Sequence, residues 1–416
     1  MLRKFFKKKS PRNLLLVFQI LALSLLFINQ RENIDEYTLM IGVGLVLIIY
    51  LSNYLLNKVS FGDNYIFLIV TMLVSIGIVM IYRIDEILGV KQLIWVSIGI
   101  ILFFLTYFIM KHIKGWENGI YLYLIGSYGL FLITLVLGTR KGGAINWIEI
   151  TDRLTIQPAE IIKILLIFIV ASYYSNKDKW KDIKYSAYYL MGILYSFILL
   201  LFLQKDLGTA LVFYAVFIII QYIYEENRKL ILYNIGLFTI SGVLGYIIFD
   251  HVKIRFQAWI NPWKYIERQG YQITQSLFAM AEGGFFGKGL GLGHPEFIPV
   301  VYTDFIFSAI CEEMGIFMGI GVIMLFMILV YRGFKIAMEQ ENIFYKILAL
   351  GISSLFGIQS FIILGGVLKI IPLTGITLPF ISYGGSSMLT SFIALGILQS
   401  CSEEISSKEV HDGEGN

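Results

Sequence analysis

At 416 residues, 57% hydrophobic and only 15% charged, with a mean hydropathy of +0.75, the chain is too apolar for a water-soluble globular protein. Its net charge of +4 is small and its basic residues sit in short connectors, which excludes a nucleic-acid-binding role. The composition implies an all-α polytopic membrane protein.

The N-terminus, MLRKFFKKKSPRN followed by Leu14 to Ile28, has the outline of a signal peptide but no small-x-small cleavage site, so it is expected to remain as a first span. Apolar runs long enough to cross about 30 Å of hydrocarbon follow near residues 38–56, 64–82, 92–110, 119–138, 158–174 and 185–203. Further runs lie near 207–224, 231–249, 305–331, 345–368 and 384–400, for about twelve transmembrane helices in all. The N-terminal KFFKKK, the loop SNKDKWKDIK and the connectors ENRK and YRGFK then share one side, which puts both termini in the cytoplasm. Six of the seven prolines, Pro158, Pro262, Pro295, Pro299, Pro372 and Pro379, fall on the opposite, external side. Irregular backbone, and with it the chemistry, is therefore expected outside. Neither Cys311 nor Cys401 fits a disulfide frame or a zinc site.

The chain divides into a basic cytoplasmic segment 1–13, two N-terminal spans over 14–56, a core over 64–400 and a short acidic tail 401–416, expected to be disordered. No internal repeat is visible, which weighs against transporters built from duplicated halves. Within the core, residues 250–304 form a long external loop ahead of the tenth helix. The stretch Gly270 to Gly315, which overlaps it, carries glycines, amides, a lysine and several carboxylates and runs Asp304 into a helix. Loops of this length are functional or disordered, and the interspersed aromatic and branched residues argue against disorder.

The motifs carry alternative readings. In QPAEIIK, Glu160 and Lys163 stand at i and i+3 and either pair locally or line a polar groove. Asp206 in QKDLGTA opens a helix and is either an N-cap or a functional carboxylate. Lys253 and Arg255 lie beside Trp259 and Trp263, an interfacial belt next to which a cation can hold a lipid-linked phosphate. GGFFGKGLGLG satisfies no nucleotide-loop pattern; it reads as tight turns, with Lys288 free to meet a phosphate. The four histidines show no metal-ligand spacing. Asp304 is either a cap or a reactive group, and Glu312 and Glu313, two turns further in, need compensation at membrane depth. IIPLTGITLPFISYGGSS reads as a re-entrant or capped loop tolerable only against protein or a wet cavity.

Taken together, GAINWI, IQPAEIIK, KDLGTA, GYQITQS, GGFFGKGLG, TDFIFSAICEEMG and PLTGITLPFISYGGSS resemble the SEDS family, the RodA, FtsW and SpoVE proteins of bacterial wall growth, division and sporulation. The resemblance runs from about Tyr65 to Ser400 and implies a ten-helix core, preceded here by two additional spans. It implies a glycosyltransferase that polymerises lipid II on the outer face beside a class B penicillin-binding protein, within elongasome or divisome assemblies. It places the family's essential aspartate at Asp304 and its upstream glutamate at Glu296. The chain departs from the common pattern at Asn146, Lys205, Val300 and Ile363, where arginine, proline, glutamate and asparagine are usual.

The implied reaction inverts the donor carbon, so it needs one base on the acceptor hydroxyl and stabilisation of the departing pyrophosphate. Asp304 is the expected catalytic base. Arg255, Lys288 and Lys163 are the candidate cations, with Glu296, Glu160, Asp206, Gln272 and Ser382 as further substrate-binding candidates. No cofactor is required; a divalent cation is compatible with the chemistry, but no ligand cluster argues for one. The competing readings are a lipid II flippase using Glu160, Lys163, Asp206, Glu312 and Glu313 as a path, and a non-catalytic scaffold for a penicillin-binding protein.

Overall fold

The computed structural model describes residues 11–29, 36–141, 144–151, 154–180, 185–267 and 270–413. Most of the basic N-terminal segment, part of the 175–184 loop and the last three residues lie outside these. Lipid cannot satisfy backbone polar groups, so apolar runs bond internally as helices. Helices occupy every expected position: α1 Pro11–Asn29, α2 Glu36–Val59, α3 Asn64–Ile84, α4 Glu86–His112, α5 Ile120–Leu137, α6 Pro158–Ser175 and α7 Ser186–Leu203. There follow α8 Leu207–Tyr224, α9 Arg228–Ile248, two short helices α10 Asp250–Ile260 and α11 Tyr271–Gly283, then α12 Ile306–Glu339, α13 Ile343–Val367 and α14 Gly385–Gly413. Among the described residues ten helices are long and apolar enough to cross a membrane.

The centre of the bundle is formed by α3, α6, α13 and α14. The apolar stretch of α6 is 83% buried against 17% for α9, which marks α9 as a peripheral, lipid-facing helix. The additional helices α1 and α2 pack on α3 and α4. Two buried side-chain bonds fix them to α3, Gln19 to Ser75 (2.9 Å) and Asn53 to Thr71 (3.2 Å).

Three regions differ from expectation. The connector after α5 is a small antiparallel meander, β1 Thr139–Lys141, β2 Ala144–Thr151 and β3 Leu154–Ile156, in the order β1-β2-β3. The 250–304 region is not irregular throughout, since α10 and α11 occupy part of it. The expected disorder of the tail fails at its start, because α14 continues through it to Gly413. Cys401, Ser402 and Glu403 are buried there, and Glu403 accepts from the Phe61 amide (3.0 Å) and pairs with Lys111 (2.7 Å). An acidic residue with these partners holds the helix against the bundle.

The break in α12 answers the question raised by its two glutamates. Gly315 takes φ 82, where a β-carbon would stand 2.3 Å from the Phe285 carbonyl, so glycine is needed there. Carbonyls of Gly284 and Phe285 accept from Ile316 (3.0 Å) and Phe317 (3.2 Å), while the amides of Lys288 and Gly289 donate to the carbonyls of Glu312 and Glu313 (both 2.9 Å). The glycine-rich segment thus replaces the lost helical bonds.

Candidate active site

Asp304 stands immediately before α12, and the helix is not capped by it. The N-cap position is Phe305, with no side-chain cap bond. The capping alternative is thereby removed, and the carboxylate faces a cavity of about 480 Å³. That cavity is lined by His251, Arg255, Gln272, Pro299 and Asp304, with an apolar wall that includes Ile254 and Leu373.

Each wall has a local cause. Residues His251, Ile254, Arg255 and Ala258 follow the i, i+3, i+4, i+7 spacing of one helical face, so α10 turns them all the same way. Two side chains of α10 anchor it to the 368–384 segment: Arg255 donates to the Thr374 carbonyl and the Trp259 indole to that of Lys369 (3.1 Å). Trp259 is therefore a structural anchor. Gln272 enters from the first turn of α11. Gly375, at φ 74, lets the backbone pass beside both charged groups; a β-carbon there would lie 3.0 Å from Arg255 Nη2 and 3.6 Å from Asp304 Oδ2.

Burial pushes the Asp304 carboxyl above the usual aspartate range, opposed by its bond to Thr303 and by the Arg255 charge. Burial likewise works against the Arg255 charge, opposed by Asp304 and Asp206. His251 is held below the usual histidine value by burial and by the charges of Arg255 and Lys205. The site therefore combines a carboxyl held above its usual range, a guanidinium and an imidazole held below its usual value.

Several expected substrate residues lie elsewhere. Lys163 is buried and bonded to Glu160 (2.8 Å) and Gln359 (3.2 Å), and Glu160 also accepts from Thr390 (3.2 Å). This is the local pair, closed among α6, α13 and α14, and not a groove lining or a free cation. Asp206 is the N-cap of α8, accepting from the Thr209 amide (3.1 Å); its other oxygen accepts from Asn146 (2.6 Å) and Gln157 (3.1 Å). Lys288 is held by Glu282 with Glu312 at 3.9 Å, and the Glu282 bond raises its pKa. Glu296 is exposed and meets His294 at 3.0 Å, away from the cavity wall. Ser382 is buried: its hydroxyl donates to the Thr303 carbonyl (2.6 Å) and accepts from the Leu378 amide (3.0 Å), so it positions the residue before Asp304.

Sequence reasoning missed His251 and Arg83. The helical spacing from His251 to Ala258 was available as a signal, whereas Arg83 at the end of α3 had none. Arg83 pairs with Glu313 (3.2 Å) and donates to the carbonyls of Gly291 (3.1 Å) and Gly293 (3.2 Å). Glu313 also accepts from the Gly291 amide (2.9 Å), and Glu312 from the His294 amide (2.8 Å). These contacts are the compensation that the two glutamates require. Among the described residues no cluster of three or more His, Cys, Asp or Glu side chains forms a metal site.

Residues 63–407 match the family model for FtsW, RodA and SpoVE, described as cell cycle proteins. The chain belongs to this family. It is 33% identical to the peptidoglycan glycosyltransferase RodA of Mycobacterium leprae over 92% of this chain and 87% of that protein. Stage V sporulation protein E of Bacillus subtilis is 33% identical over 82% of this chain and 97% of its own length. The crystal structure of RodA from Thermus thermophilus superposes with a TM-score of 0.63 at 25% identity, over 82% of this chain and 97% of that one. A structure described as a peptidoglycan synthase complex shares the fold, with a TM-score of 0.67 at 24% identity over 83% and 98%. The chain is thus a multi-pass bacterial membrane protein of the FtsW, RodA and SpoVE family.

The departures from the family pattern have local consequences. Lys205 takes φ 61, which proline cannot adopt. Val300, a β-branched residue, takes φ 57 on the approach to Asp304, a strained conformation held by its surroundings. Asn146 donates to Asp206 (2.6 Å), and Ile363 is buried in the apolar core.

Proposed function

We propose that the chain is a peptidoglycan glycosyltransferase that polymerises lipid II, with Asp304 as the general base. The observation that carries the assignment of the base is an uncapping carboxylate, raised by burial, sharing one cavity with Arg255. Asp304 takes the proton of the acceptor hydroxyl as that oxygen bonds to the donor's anomeric carbon. The bond from that carbon to the pyrophosphate breaks, and the leaving group departs with the electron pair. Attack opposite the leaving group inverts the carbon. Pyrophosphate needs no proton to leave, so a second carboxylate is unnecessary.

Arg255 stabilises the charge that develops on the pyrophosphate. Gln272 is placed to orient a substrate hydroxyl or amide. No cofactor is assigned a step; a divalent cation on the pyrophosphate would have Asp304 as its one carboxylate partner among the lining residues. The active face is outside, both termini are cytoplasmic, and the enzyme works beside a class B penicillin-binding protein in the elongation or division machinery.

What weighs against a flippase is the engagement of its candidate polar residues in local bonds. Glu160, Lys163, Asp206, Glu312 and Glu313 are each engaged in separate local bonds. The deciding experiment is glycan-strand synthesis from labelled lipid II by the purified protein with its partner, whose transpeptidase serine is blocked. Polymer from wild type and none from a folded, partner-binding Asp304→Asn supports the proposal. Polymer from that variant removes Asp304 as the base and leaves the scaffold role for this residue. Protein-dependent movement of lipid II across vesicles, with no polymer from either protein, sinks the transferase reading.

A further inference from the structure

A second cavity, of about 530 Å³, lies at the other end of α12, roughly 40 Å of helix from Asp304. Its lining is polar and mixed in origin. Arg12 comes from α1, Asn57 from α2, Asp63 and Tyr65 from the start of α3, and Arg332 and Lys335 from the last turns of α12. The family match begins only at residue 63, so Arg12 and Asn57 belong to the additional helices. The cavity exists in this form because those helices are present.

The charges are not balanced within it. Asp63 is already occupied by a two-point ion pair with Arg332, whose Nε and Nη2 donate at 2.7 and 2.8 Å. Three guanidinium N–H groups of Arg332 are left by that pairing. Among the described residues Lys335 reaches only Glu339, at 3.6 Å on the surface. Arg12 lies over the Tyr50 ring at 5.0 Å, and its Nε is enclosed with no hydrogen-bond partner among the described residues. An enclosed charged donor without an acceptor is unfavourable unless a ligand completes it. Three cationic side chains line the cavity against two carboxylates, and the ten residues preceding Pro11 carry five more basic residues.

We propose that this cavity binds a phosphate group between Arg12, Arg332 and Lys335, supplied by the headgroup of an anionic membrane lipid. Its position at the membrane-water boundary, flanked by Tyr65 and bounded by transmembrane helices, favours a lipid over a free anion. Bound there, the headgroup ties α1 to the end of α12 and gives the additional helices a ligand-dependent attachment to the core. The proposal does not depend on the transferase reading.

The test uses the full-length protein in phosphatidylcholine nanodiscs with increasing phosphatidylglycerol, reading thermal stability and, by native mass spectrometry, the lipid retained. A second arm adds inorganic phosphate or glycerol 3-phosphate to all-phosphatidylcholine discs. A saturable rise in melting temperature with phosphatidylglycerol is expected, its midpoint weakened about fivefold by each of Arg12→Gln and Lys335→Gln. Lys229→Gln, an exposed charge outside the cavity, should leave it unchanged. Saturation by the soluble phosphates supports the phosphate site and assigns its ligand to solution. Equal responses of wild type and the Arg12→Gln, Lys335→Gln double variant, or no response in either arm, overturn the proposal. Monodisperse elution of each variant separates lost binding from lost folding.

Discussion

The Asp304 carboxylate and the Arg255 guanidinium converge on one point of backbone, 3.6 Å and 3.0 Å from where a β-carbon on Gly375 would stand. Under the proposed mechanism the arrangement couples base and leaving-group stabiliser. Arg255 holds the Asp304 pKa down against burial, so Arg255→Gln removes that support. The acid limb of the pH-rate profile is expected to move to higher pH, and the rate at its plateau to fall by about 10²–10³. Arg255→Lys keeps the charge and should move the limb less while still losing rate, because an ammonium lacks the planar fork. An acid limb at the same pH in all three proteins would separate Arg255 from the base.

Asp304→Asn tests a different consequence of the same burial. The folded carboxyl titrates above its unfolded value, so its favourable contribution is full below the unfolded pKa and lost as pH rises through the folded one. Once ionised, the group is a liability to the fold. The variant should lose about 10²–10⁴ in polymerisation rate, bind its partner normally, and melt at the same temperature as wild type or higher. The melting difference should shrink as the buffer is acidified. A variant that melts well below wild type at neutral pH would show that Asp304 is a structural carboxylate.

The helical layout was legible because membrane-length apolar runs permit little besides helices, and Asp304 was legible because TDFIF resembles a family motif. What the sequence hid was the division of labour among charged residues. Lys163, Asp206 and Lys288 have the chemistry of substrate ligands, and only their partners, Glu160, Asn146 and Glu282, reveal them as structural. Ser382 stands in a hydroxyl-rich loop that suggests substrate contact, but its bonds run to backbone. His251 is obscured for a different reason: residues 250–304 have the composition of a loop, which masks the helical spacing from His251 to Ala258. The meander over 139–156 was lost in a connector rich in glycine and β-branched residues, which both loops and short strands accept.

Arg83 offers a stability prediction at a residue with no sequence signal. It is the cationic partner of a glutamate buried beside the helix break, and it also ties down the carbonyls of Gly291 and Gly293. Arg83→Met leaves Glu313 without its charge partner and should destabilise the protein by about 3–5 kcal/mol. Adding Glu313→Gln should restore part of that, since the uncompensated charge is then gone. Thermal unfolding of the four proteins in one detergent gives the double-mutant cycle. Strict additivity would mean that the 3.2 Å contact contributes nothing.

Ser382→Ala separates positioning from substrate contact. The hydroxyl bridges the Leu378 amide and the Thr303 carbonyl, and the neighbouring Tyr383 amide donates to Tyr302 at 2.8 Å. Together these bonds hold the strand of backbone that delivers Asp304. Removing the hydroxyl leaves the Tyr383 bond in place, so the segment loosens without unfolding, at a cost of about 1–3 kcal/mol for the two unsatisfied backbone groups. Misplacement of a reacting group by about 1 Å is enough for a hundredfold loss, so kcat should fall roughly tenfold to a hundredfold with KM for lipid II little changed. Because Ser382 does not line the cavity, a variant with normal kcat and raised KM would make it a lipid II ligand and require the 378–384 segment to open toward the cavity.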